Sequence, residues 1–169
     1  MQIKNLTAIH KKDSRKLLEV LSFVLNPGDK MAVIGEEGNG KSTLLKLIYE
    51  PGLAENYVEY QGEIVKQGLS LGYLAQELSS GEKELTIWEY MCENPCFYQQ
   101  TPKELSRIAD KLGLPGDVFY GQEKMGQLSG GEKVKIQLAG ILMKAPDVIL
   151  LDEPSNDIDL DTLEFLEKF

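Results

Sequence analysis

Two hydrophobic periods run along the chain, and the change between them predicts its elements. Ile3 to Ile9 and Val20 to Leu25 are rich in branched side chains and read as strands. Asn26-Pro27-Gly28-Asp29 is a turn signal, and Lys30-Met31-Ala32-Val33-Ile34 after it reads as a buried strand. That run enters a glycine-rich turn, Gly35 to Gly40, and leaves it as a helix from about Lys41 to Tyr49, stopped by Pro51-Gly52. Tyr57 to Lys66 and Ser70 to Ala75 predict two further strands. From Glu84 to Lys144 the period becomes helical. Thr86 to Cys92 is a short helix. Thr101-Pro102-Lys103-Glu104 combines an N-cap, a proline at the first helical position and a glutamate at the third, predicting a helix to about Leu112. Ser129-Gly130-Gly131-Glu132 has the same spacing and predicts a helix to about Met143. Val148-Ile149-Leu150-Leu151 is a continuous apolar run, the pattern of a strand buried on both faces of a parallel sheet. The fold class is α/β, with a helical insertion between two halves of the sheet.

Composition narrows the class. The 169 residues, 42% hydrophobic and 27% charged, make one domain with enough apolar side chains for a core. No apolar stretch approaches the roughly 20 residues of a spanning helix, and strand-like sequence follows Met1 in place of a leader, so a cytoplasmic protein is expected. His10 is the single histidine, and Cys92 and Cys96 lack the further ligands of a zinc site, so they read as reduced structural thiols. The net charge of −9 argues against this segment gripping a nucleic-acid backbone by itself. The charge is uneven. Lys4, Lys11, Lys12, Arg15 and Lys16 face only Asp13 near the start, whereas seven acids stand against Lys168 in the last eighteen residues.

Three segments carry chemistry. Gly35-Glu36-Glu37-Gly38-Asn39-Gly40-Lys41-Ser42, followed by Thr43, fits the phosphate-binding P-loop. Its glycines let backbone N–H groups turn toward phosphates, the helix N-terminus adds a favourable dipole, Lys41 reaches the β- and γ-phosphates, and Ser42 offers a hydroxyl to Mg²⁺. Asp152, at the end of the apolar run and 110 residues after Ser42, suits a Walker B acid that holds Mg²⁺, and Glu153 beside it can orient and deprotonate an attacking water. Leu128-Ser129-Gly130-Gly131-Glu132, on its own, is a capped helix start.

Beside a P-loop and a Walker B strand, that third segment resembles the signature motif of ABC ATPases. The resemblance implies a P-loop NTPase core with an N-terminal antiparallel β part and an inserted helical subdomain. It divides the chain into a β part and P-loop core at 1–76, a helical subdomain at 77–145, and the Walker B strand and D-loop at 146–169. It implies ATP and Mg²⁺ as ligands and a second ABC domain as partner, whose γ-phosphate Ser129, Gly130, Gly131 and Glu132 would meet. Tyr73-Leu74-Ala75-Gln76-Glu77 looks like the Q-loop, placing Gln76 on Mg²⁺ and the attacking water. Ser155-Asn156-Asp157-Ile158-Asp159 occupies the D-loop position, where Asp159 would contact the partner's P-loop. His10 is the planar candidate for stacking on adenine, and it reads equally as a surface histidine among lysines.

The sequence around the D-loop, and Gly131-Glu132-Lys133-Val134-Lys135 after the signature, look like the ABC-F subfamily. That implies an ATPase acting on the ribosome in translation or antibiotic resistance, with any contact to ribosomal RNA made by parts outside this segment. Only fifty-one residues separate Gln76 from Leu128, so a long ribosome-reaching arm is not expected there. Lys133 and Lys135 suit a phosphate backbone or a solvated helix face. Two other readings stand beside this one: the ATPase subunit of a membrane transporter, with a membrane partner, and a nucleotide-binding module without turnover. ABC ATPases need a switch histidine beyond the D-loop, which His10 cannot be. The chain is therefore expected to stop before its catalytic domain is complete and to hold ATP without hydrolysing it alone.

Overall fold

The structure, a computed structural model, describes residues 1–154 together with 160, 162, 164 and 166. It contains two compact units, Met1–Leu71 and Gly72–Phe169.

The first unit is built on a three-stranded antiparallel sheet, order β2-β1-β3, of β1 (Gln2–His10), β2 (Lys16–Val24) and β3 (Val58–Val65). Side chains of a strand alternate faces, yet β1 buries Ile3, Leu6 and Ala8, a spacing of three and then two. A register shift between Ile3 and Leu6 reconciles them, with Asn5 in the left-handed region at φ 50. Opposite this bulge stands Gly62 at φ 112, where a Cβ would lie 2.6 Å from the Asn5 carbonyl oxygen, so only glycine fits. Side chains support the irregular backbone: the Asn5 N–H donates to Ser22 Oγ at 2.7 Å and the Val20 N–H to Thr7 Oγ1 at 3.2 Å. Helix α1 (Lys41–Tyr49) buries Thr43, Leu44, Leu47 and Ile48 along one stripe, and Leu47 joins Ala8, Ala54 and Val58 in a small core.

The second unit pairs β4 (Leu71–Leu74) with β5 (Val148–Leu151) and packs helices α2 (Ser80–Glu84), α3 (Ile87–Cys92), α4 (Pro102–Lys111) and α5 (Gly130–Leu142) around a larger core that includes Met91, Leu112, Phe119, Met125, Ile136 and Leu138. Each of α2 to α5 opens with a complete capping box, Ser79/Glu82, Thr86/Glu89, Thr101/Glu104 and Ser129/Glu132. Cys92 and Cys96 are free thiols.

Three expectations need correction. Lys30–Ile34 forms no strand, and its side chains are exposed, Ile34 at 94%. An apolar run makes a central strand only by pairing with neighbours, and no strand of the described residues pairs with it. The P-loop therefore precedes a helix but does not follow a strand here. β5 buries only Leu150 fully, its other three residues being half-buried, because among the described residues it has β4 as its one ladder. Finally, α2 begins before the point where helical periodicity sets in.

Candidate functional site

The glycine-rich turn reaches α1 through two left-handed residues, Gly38 at φ 77 and Gly40 at φ 80. Gly40 is the N-cap of α1, and a Cβ there would lie 2.9 Å from the Leu17 carbonyl oxygen, so strand β2 lies directly against the turn. Unlike α2 to α5, α1 has no side-chain cap and no acid in its first turn. No side-chain cap and no carboxylate of the helix itself therefore offsets its dipole, and the chemistry that dipole favours is an anion. Lys41 Nζ adds a cation at the same place, donating to the carbonyls of Gly35 at 2.9 Å and Glu36 at 3.0 Å. Gly35 to Asn39 are exposed, Ser42 is half-buried and Thr43 is buried. This donor set fits a polyphosphate.

His10, in the same unit, is held by its own hairpin. Its Nδ1 stands 2.8 Å from Asp13 Oδ1, and its ring centroid lies 6.3 Å from that of Tyr57, tilted by 48°. The Arg15 backbone N–H, with the His10 ring, holds the Asp13 carboxyl below its ordinary range.

In the second unit the ends of β4 and β5 bring three predicted residues together. Asp152 is buried; its N–H donates to Leu74 O at 3.0 Å, which continues the β4–β5 pairing past Leu151. Its Oδ2 accepts from the Tyr73 hydroxyl at 2.9 Å. Glu153, next along and exposed, takes a left-handed φ of 50, and its Oε2 accepts from Gln76 Nε2 at 2.9 Å. A carboxylate and an amide that lie 77 residues apart in sequence thus share one hydrogen bond. Among the described residues no group of three or more His, Cys, Asp or Glu is placed to hold a metal ion. Asp152 fits instead the habit of Mg²⁺, which takes one or two carboxylates and completes its shell with water and phosphate.

Ser129 caps α5 reciprocally with Glu132: the Glu132 N–H donates to Ser129 Oγ at 3.3 Å, while the Ser129 hydroxyl and N–H donate to Glu132 Oε2 at 2.6 and 2.9 Å. Those bonds, the hydroxyl's foremost, hold the Glu132 carboxyl below its ordinary value. Gly130 and Gly131 form the first turn behind it. Asp159 and the rest of Ser155 to Asp159 lie outside the described residues. Sequence reasoning missed Tyr73 as the donor to Asp152. The signal was a tyrosine inside an apolar strand run, since a buried phenol usually finds a partner for its hydroxyl.

A family model described as ABC transporter matches residues 18–156. The chain belongs to that family. The ribosome protection protein VmlR of Bacillus subtilis is 32% identical over 99% of this ABC domain, and the energy-dependent translational throttle protein EttA of Haemophilus influenzae is 30% identical over 99%. Both are of the ABC-F type, and the chain spans 28% and 29% of their respective lengths. Among solved structures, the ATP binding subunit of an ABC transporter superposes with a TM-score of 0.73 at 23% identity, covering 99% of this chain and 73% of that one. That likeness shows the fold, an ABC-type α/β domain.

Proposed function

We propose that the chain is an ATP-binding domain of an ABC-F type protein, hydrolysing ATP when paired with a second ABC domain and acting on the ribosome in the cytoplasm. The observation that carries the nucleotide reading is the uncapped, acid-free start of α1 with Lys41 folded over its turn, in a protein whose other described long helices spend their N-termini on a capping glutamate. Gly35 to Lys41, Ser42 and Thr43 bind the nucleotide, with His10 on the adenine. Ser42, Gln76 and Asp152 hold Mg²⁺, which supplies charge neutralisation at the phosphates. Glu153 is the base toward water, with Gln76 orienting it. Ser129 to Glu132 and Asp159 face the partner domain. The divisions at residues 76 and 145 bound the P-loop core, the helical subdomain and the Walker B strand with D-loop.

Binding is tested first. Lys41→Ala removes a charge-assisted contact of about 1.5–3 kcal/mol, so calorimetry should show MgATP affinity falling roughly 10- to 100-fold. Unchanged affinity refutes the assignment. Glu153→Gln, in the protein that contains this chain and a second ABC domain, should keep MgATP binding and lose phosphate release; retained turnover excludes Glu153 as base. The chain alone should bind MgATP without steady-state phosphate release.

The ribosomal reading is supported by the relatives, one a ribosome protection protein and one a translational throttle. In it, Glu153→Gln protein co-sediments with ribosomes in MgATP. The second reading, a transporter ATPase, is favoured by the family model's own description, and it predicts recovery with the membrane fraction instead.

A further inference from the structure

The loop between β1 and β2 is pinned from within. Asp13 Oδ1 accepts from the Arg15 N–H at 3.1 Å, the Ser14 N–H donates to His10 O at 2.9 Å, the His10 N–H donates to Arg15 O at 2.9 Å, and Ser14 adopts φ 55. These bonds fix the backbone of Arg15 at the threshold of β2, and its side chain extends over the phosphate-binding turn. Guanidinium Nη1 lies 3.9 Å from the point that a Cβ on Gly38 would occupy. Two residues further on, the Leu17 carbonyl touches Gly40, so the approach of this strand to the turn is set at two points.

Three of the neighbouring charges are already engaged. Lys16 pairs with Glu19 at 2.6 Å, Lys11 Nζ donates to Glu55 O at 2.6 Å, and Asp13 is turned to the His10 ring and the Arg15 backbone. The Arg15 guanidinium forms no ion pair among the described residues. Its nearest acids by sequence on the turn, Glu36 and Glu37, are exposed. A guanidinium stays charged at all working pH values and offers a planar fork matched to phosphate oxygens.

The geometry points to Arg15 as a second phosphate-binding cation of this domain, donating to a phosphate oxygen of the nucleotide that the P-loop holds. This rests on the P-loop reading above. Lys41 comes from the helix and Arg15 from the β1–β2 loop, so the nucleotide joins two parts of the first unit. Arg15 recognises the polyphosphate and is indifferent to the base.

The test is calorimetric titration of the chain with MgATP, with adenosine measured by displacement of a fluorescent ATP analogue, and thermal melting without nucleotide. Arg15→Gln should weaken MgATP binding about 10-fold, leave adenosine affinity and the melting temperature unchanged, and be partly rescued in Arg15→Lys. Unchanged MgATP affinity, or equal loss for MgATP and adenosine, overturns the proposal and marks Arg15 as a structural prop or a solvated side chain. If the unaltered chain fails to bind MgATP, or Lys41→Ala binds as well as it does, the P-loop reading itself falls and Arg15 with it. If Lys41→Ala loses affinity while Arg15→Gln does not, only the Arg15 assignment falls.

Discussion

Gly40 carries two constraints at one atom. Its φ of 80 is a region L side chains rarely enter, and its missing Cβ leaves the 2.9 Å that the Leu17 carbonyl needs. Gly40→Ala must strain the turn or push β2 away, so it should cost more than about 1 kcal/mol in thermal stability and weaken MgATP binding together. A variant with native stability and affinity would contradict this. Tyr73→Phe removes one hydrogen bond from the buried Asp152 carboxylate and should lower stability by about 1.5–3 kcal/mol in chemical denaturation, without changing the fold. At this scale the residues of the site were legible from sequence but their partners were not. Gln76 and Glu153 could each be named, yet their contact depends on β4 lying beside β5, which no local pattern encodes. Arg15 was hidden for the opposite reason: in a lysine-rich stretch it reads as one more solvated cation, and only the packing of β2 on the turn singles it out.

The helices follow their local code closely. The Thr101 and Ser129 boxes, the proline at the start of α4 and the extent of α1 all form as their side-chain chemistry dictates. The start of α2 carried the same Ser-x-x-Glu spacing at Ser79 and Glu82, but five residues are too few to show a helical period. Ser129→Ala should cost about 1 kcal/mol through the lost cap. The boxes also set an acid limit. The N-cap hydroxyl and N–H groups hold Glu89, Glu104 and Glu132 below the ordinary glutamate value of 4.5. A carboxyl depressed in the folded state stabilises fully above its unfolded value and loses that contribution as pH falls through the folded one. Stability should therefore be flat in this respect above about pH 5 and decline below pH 4.5, and replacing the three glutamates by glutamine should flatten an acid titration followed by circular dichroism. Strands were the less legible elements, because a strand exists only through partners: Val58–Val65 finds β1, whereas the more apolar Lys30–Ile34 finds none among the described residues.

At the scale of the molecule, the helices of the second unit and the sheet of the first differ in how far apart in sequence their contacts lie. The second is largely helical, and each helix begins on signals within its own first turn. In the first, β1 is the central strand, with a nearby hairpin partner on one side and, on the other, β3, whose Val58 pairs with His10 and whose Val65 pairs with Gln2. The phosphate-binding turn and α1 lie inside the span of chain that this pairing closes, and the buried stripe of α1 rests on Ala8 and Val58, which the pairing brings together. Closing such a span costs entropy before any contact repays it, so non-local sheets form slowly relative to local helices. On refolding from denaturant, the helical signal should consequently return ahead of the ability to quench a fluorescent nucleotide, leaving an interval in which the chain is largely helical and blind to ATP.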